Sequence, residues 1–317
     1  MKNSICLENE ISQHNVTSFS IQGLTDIPEL QFPIFIIFLL VFLIILIGNL
    51  TIFIVIMCDS NLHTPMYLFL MNLSLIDISS TSNIIPKLLN VMLTQNKAIS
   101  FAGCIAQVYI FTSLTCTEIL LLGAMAYDRY LAICHPLHYF ILMSLRQTAA
   151  LAVTAWTVGF LDTTGHASLI SRLSFCASHR VDHIFCDVNS LLKISCSNTF
   201  NVEMLSIVEG AILGVPTFLF TLISYIFIIS NILKIKTTEG RRKAFSTCAS
   251  HLTCVTVFYV TVMGLYMRPT SSYQPKQEKY VALLFIVLVP MLNPIIYSLK
   301  NQDVKDALMK LKNKMTC

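Results

Sequence analysis

Residues 30–58, LQFPIFIIFLLVFLIILIGNLTIFIVIMC, indicate the class of fold because they include no charged side chain. A helix that crosses a bilayer needs about 20 consecutive, mostly apolar residues, and this stretch is longer than that. Its apolar residues do not alternate with polar ones, as they would in the strands of an outer-membrane barrel. Since a backbone in hydrocarbon must satisfy its own hydrogen bonds, the stretch predicts a membrane-spanning α-helix.

Six further apolar segments follow along the chain. The fourth, sixth and seventh carry no charge within their bounds, and the second, third and fifth contain one to three charged residues each. The fourth is the shortest and reaches a full span only by running past Asp162. The sequence therefore predicts an all-α membrane protein, a bundle of seven transmembrane helices at residues 30–58, 65–93, 103–133, 148–161, 204–233, 244–267 and 280–299.

The composition agrees with a membrane protein and argues against several other classes. Hydrophobic residues make up 55% of the chain, charged residues 12%, and the mean hydropathy is +0.71. Soluble domains carry roughly 25% charged residues. The net charge of +4, with no Lys/Arg-rich run, gives no reason to expect a nucleic-acid partner. No His-Glu-x-x-His motif points to an intramembrane enzyme, and no pair of Gly/Pro-broken helices in the two halves points to a transporter.

The distribution of charge predicts that the N-terminus lies outside. This orientation puts a modest excess of Lys and Arg in the cytoplasmic loops, and it puts Asn15-Val16-Thr17, a glycosylation acceptor, on the outer side. We expect an extracellular tail at residues 1–29 without a cleavable signal peptide, a receptor domain at 30–299 and a cytoplasmic tail at 300–317. In that last tail, Val304, Leu308 and Leu311 recur at helical spacing among lysines, which predicts a short amphipathic helix on the lipid of the inner leaflet.

Four cysteines fall at the predicted outer face. Cys104 begins the third segment, and Cys176, Cys186 and Cys196 lie between the fourth and fifth segments. Disulfides form in such an oxidising compartment. Four cysteines allow three pairings, and the spacing alone does not choose among them.

Charged residues inside the predicted spans are costly, so each is a functional hypothesis by default. They are Asp77, Glu118, the pair Asp128-Arg129, and Glu209. Structural pairing is the alternative explanation, and for Asp128-Arg129 it is inexpensive because the pair lies at the end of a segment.

Several longer motifs resemble those of the odorant receptors, a branch of the rhodopsin-like G-protein-coupled receptors. They occur in the family's order and extend over nearly the whole chain. The motifs are PMYLFL at 65–70, MAYDRYLAIC at 125–134, KAFSTCASHL at 243–252 and PMLNPIIY at 290–297, with Gly48-Asn49, Trp156 and Ser224-Tyr225 in the remaining segments. One departure is Phe258-Tyr259-Val260, where the family often has Phe-Tyr-Gly.

The resemblance implies an activation mechanism at the inner end. Arg129 is held by the neighbouring Asp128 at rest and meets the G protein when active, a role that suits a permanently charged side chain with several donors. Pro294 permits a kink in the seventh helix because it lacks a backbone N–H. The residues assigned to G-protein coupling are Asp128, Arg129, Tyr130, Tyr225, Asn293, Pro294 and Tyr297.

The resemblance also implies two disulfides and a polar site at mid-membrane. Cys104 pairs with Cys186, and Cys176 with Cys196. Asp77 and Glu118 face each other and hold a sodium ion or a water molecule; the alternative is a protonated carboxyl pair that only hydrogen-bonds. No other cofactor is expected.

The ligand pocket implied by the resemblance lies among helices three, five, six and seven near the outside. Its mixture of apolar and hydrogen-bonding side chains is typical of small-molecule sites. For Glu209, the alternative is that it points toward helix four or the outer loop and pairs with a basic residue. The candidates are Phe111, Thr112, Thr115, Cys116, Glu209, Gly210, Leu213, Tyr259, Val262, Met263, Tyr266, Leu283 and Ile286.

By resemblance, the function is that of an odorant receptor and not of an enzyme. It would bind a small, volatile odorant and activate a heterotrimeric G protein of the stimulatory or olfactory type, which raises cyclic AMP. Its expected location is the plasma membrane of the cilia of olfactory sensory neurons. The alternative is a rhodopsin-like receptor for a non-odorant metabolite in another tissue.

Overall fold

The computed structural model describes residues 17–25, 27–175, 179–266, 275–299 and 302–315. Within these residues the chain is mostly helical. The long helices are α1 (Pro28–Cys58), α2 (Pro65–Thr94), α3 (Phe101–Cys134), α4 (Leu145–Ser171), α5 (Phe200–Leu233), α6 (Thr238–Tyr266), α7 (275–299) and α8 (Gln302–Met315). Short helical turns lie at Ser60–Leu62, Tyr139–Leu142 and Val188–Ile194.

Helix α1 shows why these helices need a membrane. One stripe of the helix, including Ile45, Asn49 and Ile52, is buried against the bundle. The other faces are apolar as well, and Ile37 and Ile47 are 57% and 64% exposed. A helix that is hydrophobic on all faces is either enclosed by protein or surrounded by lipid, so lipid must cover the exposed faces of α1.

Five helices in the described part of the chain are long and apolar enough to cross a membrane. They are Pro28–Cys58, Pro65–Thr94, Phe101–Cys134, Phe200–Leu233 and Gln277–Ile296. Helix α4 is not among them, and the apolar part of α6 is the shorter stretch His251–Tyr266. The chain is therefore a multi-pass helical membrane protein, while the number of seven spans stays a prediction.

Helices α4 and α6 extend furthest beyond the predicted segments. Helix α4 continues past Asp162 to Ser171, and it begins at Leu145 because Ser144 and Gln147 form a capping box. Helix α6 begins at Thr238, six residues before the apolar segment predicted from Ala244. In both cases helical hydrogen bonding continues through polar residues, which a search for apolar stretches does not detect.

Helix α3 is the centre of the bundle and packs against α2, α4 and α5. Its contact with α4 is close because Gly159 has no side chain. A Cβ at this position would lie 2.2 Å from Thr117 Oγ1 and 2.8 Å from the Ser113 carbonyl oxygen. Trp156 of α4 donates a hydrogen bond of 2.9 Å to Asn72 Oδ1 of α2, so α2, α3 and α4 form one packed unit.

A small β-sheet, which the sequence did not predict, covers one end of the otherwise helical bundle. Strand β1 (Ser18–Ile21) lies between β2 (Ala98–Ser100), which is antiparallel to it, and β3 (Arg180–Val181), which is parallel. Phe19 and Ile21 are buried beneath the sheet. The sequence offered no strand signal because each strand has only two to four residues.

Helix α8 packs at the opposite end, which we call the Arg129 end. Val304 and Ala307 are buried, the Tyr67 hydroxyl donates to Asp303 Oδ2 at 3.0 Å, and Lys310 Nζ lies 3.5 Å from Asp59 Oδ2. The hydrogen bond from the Asn61 backbone lowers the pKa of Asp59, so the carboxylate is available to the lysine. The helix predicted after the seventh segment is thus present and docked on α1 and α2.

Candidate functional site

The Arg129 end contains a buried ion pair at the end of α3. Arg129 Nε donates to Asp128 Oδ2 at 2.8 Å, and Arg129 Nη2 donates to the same oxygen. Tyr139, in the turn that follows α3, donates to Asp128 Oδ1 at 2.8 Å. Burial raises the pKa of Tyr139, so its hydroxyl stays protonated and can donate. One carboxylate oxygen of Asp128 therefore binds Arg129, and the other binds Tyr139 in the turn after α3.

A second polar contact at this end joins α5 to α6. The Tyr225 hydroxyl hydrogen-bonds to His251 Nδ1, and the two rings are stacked at 5.7 Å. His251 Nε2 is buried and has no hydrogen-bond partner among the described residues. Tyr225 packs with Ile228, Ile232 and Cys248 in a small core.

Sequence reasoning missed two residues at this end, and the side chain of a third is not described. His251 lies inside the quoted KAFSTCASHL motif, which could have identified it. Tyr139 lies in the turn after α3, whose path the sequence does not predict, and no sequence signal pointed to this residue. Tyr130, a predicted residue, bonds to His135 Nε2 at 3.0 Å. The side chain of Tyr297 lies outside the described residues.

The mid-membrane acids lie where α2, α3 and α7 meet. Asn293 Nδ2 donates to Asp77 Oδ2 at 2.9 Å, and Asp77 and Glu118 are both buried and close enough to repel each other when ionised. Pro294 packs so tightly on α1 that a Cβ at Gly48 would lie 3.1 Å from its Cβ. This arrangement agrees with the prediction that Asp77 and Glu118 face each other, and their shared role stays a prediction.

The donor atoms at this position fit a small, hard cation. Two carboxyl groups carry the negative charge, and Asn49 Oδ1 is buried without a hydrogen-bond partner among the described residues. Asn49 itself is fixed by donating to the Pro290 carbonyl at 3.0 Å. Oxygen donors of this kind suit hard cations. In the described part of the chain, no three or more His, Cys, Asp or Glu side chains are grouped to hold a metal ion.

The predicted ligand pocket is occupied by a row of aromatic rings that we call the aromatic row. Each ring contacts the next at centroid distances between 5.1 and 5.7 Å, and the row connects the loop before α5 to α3, α7, α6 and α5. Edge-to-face contacts of this length are favourable. In order, its members are Phe185, Phe111, Phe285, Phe258, Tyr259 and Phe218.

A cavity lies beside the aromatic row and reaches toward the mid-membrane acids. Three predicted pocket residues, Phe111, Thr115 and Ile286, line it together with Glu118. The remaining lining residues come from α2, α3 and α7, and they are Ile76, Ser80, Leu114, Phe285, Val289 and Pro290.

The other predicted pocket residues divide into two groups. Tyr259 is buried on the aromatic row, and its hydroxyl and that of Thr221 face each other without a well-formed hydrogen bond. Tyr266 donates to Asp187 Oδ1 at 3.4 Å. Val262 and Leu283 pack against the same core, whereas Thr112, Cys116, Gly210, Leu213 and Met263 are only partly buried or exposed.

Glu209 faces α4 in this structure. Its Oε1 lies 2.9 Å from His166 Nδ1. This contact agrees with the alternative that Glu209 pairs with a basic residue of helix four. Its role in ligand binding stays a prediction.

The three-stranded sheet and the loop before α5, which together we call the cap, are held to α3 by the predicted disulfide. Cys104 and Cys186 are bonded, with their Cα atoms 5.4 Å apart, so this pairing is confirmed. Cys196 is also disulfide-bonded, but its predicted partner Cys176 lies outside the described residues, as does the predicted glycosylation site Asn15.

Two titratable groups of the cap are buried above the pocket. Burial, with Lys279 nearby, lowers the pKa of His183 to about 4, so its ring is neutral at physiological pH and packs edge-on against Phe185 at 4.6 Å. Burial raises the pKa of Asp187 to about 6, opposed by hydrogen bonds from Asn189 and Ser190. At physiological pH the cap therefore places the neutral ring of His183 against the aromatic row, whereas Asp187 stays largely ionised and accepts a hydrogen bond from Tyr266.

Comparison with known proteins identifies this helical membrane protein. A family model for olfactory receptors matches residues 38–314. The chain is 47% identical to olfactory receptor 5AR1 of Mus musculus over 296 residues, which cover 93% of this chain and 96% of that protein. It is 46% identical to olfactory receptor 5AP2 of Homo sapiens over 300 residues, with 95% of each chain covered.

The chain therefore belongs to the olfactory receptor family. It is a G-protein-coupled receptor and not an enzyme. As for the family in general, its ligands are odorants and its intracellular partner is a G protein.

Proposed function

We propose that this receptor binds a small, volatile odorant among α3, α5, α6 and α7, and that it activates a stimulatory-type G protein which raises cyclic AMP. The proposed location is the ciliary plasma membrane of olfactory sensory neurons. The disulfide-bonded cap faces outside and the Arg129 end faces the cytoplasm. Residues 1–29, 30–299 and 300–317 are then the outer tail, the receptor domain and the inner tail.

The observation that carries this proposal is the aromatic row. An odorant that enters among these rings must displace some of them, and Phe258 and Tyr259 belong to α6. The same helix carries His251, which bonds to Tyr225 at the Arg129 end. A ligand that binds one arrangement of the row more tightly shifts the receptor toward it, and α6 transmits the change to the G-protein side.

The Arg129 end has a surface suited to a G protein. Beside Tyr139, the side chains of Leu137 and Phe140 are 89% and 84% exposed. Apolar side chains that project into water typically mark protein interaction sites. Because Tyr139 of the same turn holds Asp128, contact with a G protein at this turn would act directly on the ion pair that restrains Arg129.

A cyclic-AMP reporter assay against a chemically diverse panel of volatile molecules tests the proposed function. We expect one chemical class to raise cyclic AMP in cells that express the receptor and not in cells that lack it. A receptor that reaches the surface, binds a volatile ligand and raises calcium without cyclic AMP would contradict the stimulatory coupling.

The proposed topology predicts a glycan at Asn15. Replacement Asn15→Gln should abolish the mobility shift that a glycosidase causes, and Thr17→Ala should do the same because both remove the acceptor motif. Asn72→Gln is the matched control, because Asn72-Leu73-Ser74 is also an acceptor triplet but lies inside α2, where Asn72 accepts a hydrogen bond from Trp156. A shift that persists in Asn15→Gln would show that the orientation or the acceptor is wrong.

We propose that Asp77 and Glu118 hold a sodium ion in the resting receptor. The bound cation would neutralise two carboxylates that otherwise repel each other across the bundle. Asn293 donates to Asp77 and directly precedes Pro294, so the site adjoins the proline inside α7.

Asp77→Asn should remove the sodium dependence of activation. A cation that binds the resting state preferentially lowers basal activity, so replacing sodium by an impermeant organic cation should raise the basal activity of the parent and leave that of the variant unchanged. Glu118→Gln should behave in the same way. An identical response to sodium in parent and variants would leave the acids a purely structural role.

Helix α8 is proposed to lie on the inner leaflet. Its buried face docks on α1 and α2, while Lys305 and Lys312 are exposed. Basic side chains close to the membrane surface attract anionic lipid headgroups.

A further inference from the structure

Four polar side chains meet inside the bundle where α3, α4 and α5 adjoin. Glu209 Oε1 lies 2.9 Å from His166 Nδ1, and Cys116 Sγ lies 4.0 Å from Asp162 Oδ2. Asp162 is close enough to His166 and Glu209 to interact electrostatically with both. We call Cys116, Asp162, His166 and Glu209 the α4 cluster.

The hydrogen bonds of His166 decide which acid of the α4 cluster is already paired. Ser206 donates its hydroxyl hydrogen to the Val202 carbonyl at 3.0 Å, so it accepts at its 2.8 Å contact with His166 Nε2. Nε2 therefore carries a hydrogen. Nδ1 faces Glu209 Oε1, although this oxygen makes no well-formed hydrogen bond. The cluster has two carboxyl groups and one imidazole, and the imidazole lies against Glu209, so among the described residues Asp162 is the carboxyl group that no basic side chain contacts.

Asp162 then holds the remaining negative charge of the cluster. Among the ion pairs of the described residues, none joins Asp162 to a lysine or arginine. Its side chain is only partly buried, so another molecule can reach it. A carboxylate within a membrane-spanning bundle is costly unless a cation or a proton neutralises it. The cluster therefore has one carboxyl group more than it has basic side chains.

The stretch of α5 next to this cluster is irregular and open on one side. Directly after Glu209, α5 widens into a π-helical segment, Gly210–Gly214. Gly210 is exposed and Gly214 is half-buried, and a Cβ added at either position would meet no atom within 4 Å. Single π-helical turns inside α-helices occur frequently at functional sites.

We propose that the α4 cluster is a cation-binding subsite of the ligand pocket, which takes the ammonium group of an organic amine, with Asp162 as the anchoring carboxylate. The His166–Glu209 pair lies beside Asp162 and positions the site. The inference rests on the proposed ligand-binding function of the bundle and names a ligand class for it. It places the carboxylate that binds the ligand on Asp162, which was not among the pocket candidates, and not on Glu209, which was.

Two isosteric variants test this assignment against each other. Asp162→Asn removes the unpaired charge, so linear primary alkylamines should lose tenfold or more in potency, which is about 1.4 kcal/mol. Glu209→Gln keeps the Asp162 carboxyl group and a polar side chain against His166, so amine potency should change by less than about threefold, well under 1 kcal/mol. Primary alcohols of the same chain lengths are the uncharged control, and their potency should change little in both variants.

The measurement uses two readouts in parallel. Cyclic-AMP responses are compared at equal surface expression, and amine binding is followed separately as a rise in the melting temperature of the purified receptor. Amine binding without signalling would support the subsite and count against the proposed coupling alone. If Asp162→Asn does not reach the surface, Asp162→Ser replaces it.

Three outcomes would overturn the inference. In the first, no alkylamine stabilises the parent receptor. In the second, Glu209→Gln loses the amines and Asp162→Asn keeps them, which makes Glu209 the anchor. In the third, amines and alcohols lose potency together, which gives the cluster a structural role only.

Discussion

Replacement of Arg129 by alanine is expected to abolish the ligand-driven rise in cyclic AMP. The guanidinium makes two hydrogen bonds to Asp128 at rest, and it is the permanently charged group available at this end to reach a G protein when the contact is released. Alanine can neither hold the resting contact nor form a new one. The cyclic-AMP response should therefore fall to the level of cells that lack the receptor.

Surface expression has to be measured beside signalling, because the change leaves Asp128 buried without its cation. Removing one partner of a buried ion pair costs about 3–5 kcal/mol where the remaining charge is fully buried. The double variant Asp128→Asn/Arg129→Ala leaves no charge behind, so it should be expressed well and remain silent. Arg146→Ala is the matched control, since Arg146 is exposed in the first turn of α4. Normal signalling by an Arg129→Ala receptor at the surface would contradict the assigned role.

The second large effect is expected from Cys104→Ser, which should retain the receptor in the secretory pathway. The Cys104–Cys186 bond joins α3 to the loop before α5 across 82 positions of the sequence. A disulfide that closes a loop of such length typically stabilises a fold by about 2–4 kcal/mol. The same loop carries Phe185 of the aromatic row and is fixed by a 2.9 Å bond from the Cys186 backbone to Gln107 Oε1. Loss of the disulfide should therefore make both the cap and the pocket less rigid.

Flow cytometry of intact cells, compared with total receptor, measures the retention. Cys186→Ser should have the same effect, whereas Cys58→Ser should not, because Cys58 is a free, exposed cysteine at the end of α1. Peptide mapping under non-reducing conditions provides a second check. A peptide that joins Cys104 to Cys176 or to Cys196 would show that the pairing is different in the cell.

The amino-acid sequence by itself determined the class of this protein. A helix such as α1 is apolar on every face, and only hydrocarbon can surround it, so composition and segment length sufficed to predict a helical membrane protein. The motifs around Arg129 and Pro294 sufficed to indicate the family, since each motif is a contiguous stretch of sequence. Such a stretch can be recognised without knowing which residues are in contact. The neighbouring positions of Asp77 and Glu118 followed from the same resemblance.

Three features could be decided only by the tertiary structure, and the reason is the same for each. The sheet around β1 joins three strands that are distant along the chain, and each is too short to have a pattern of its own. The Asp128–Tyr139 bond depends on the course of the turn after α3. The pairing of Glu209 with His166 depends on which faces of α4 and α5 meet. Periodicity gives the face of a helix that is buried, but it does not give the side chain that will lie opposite.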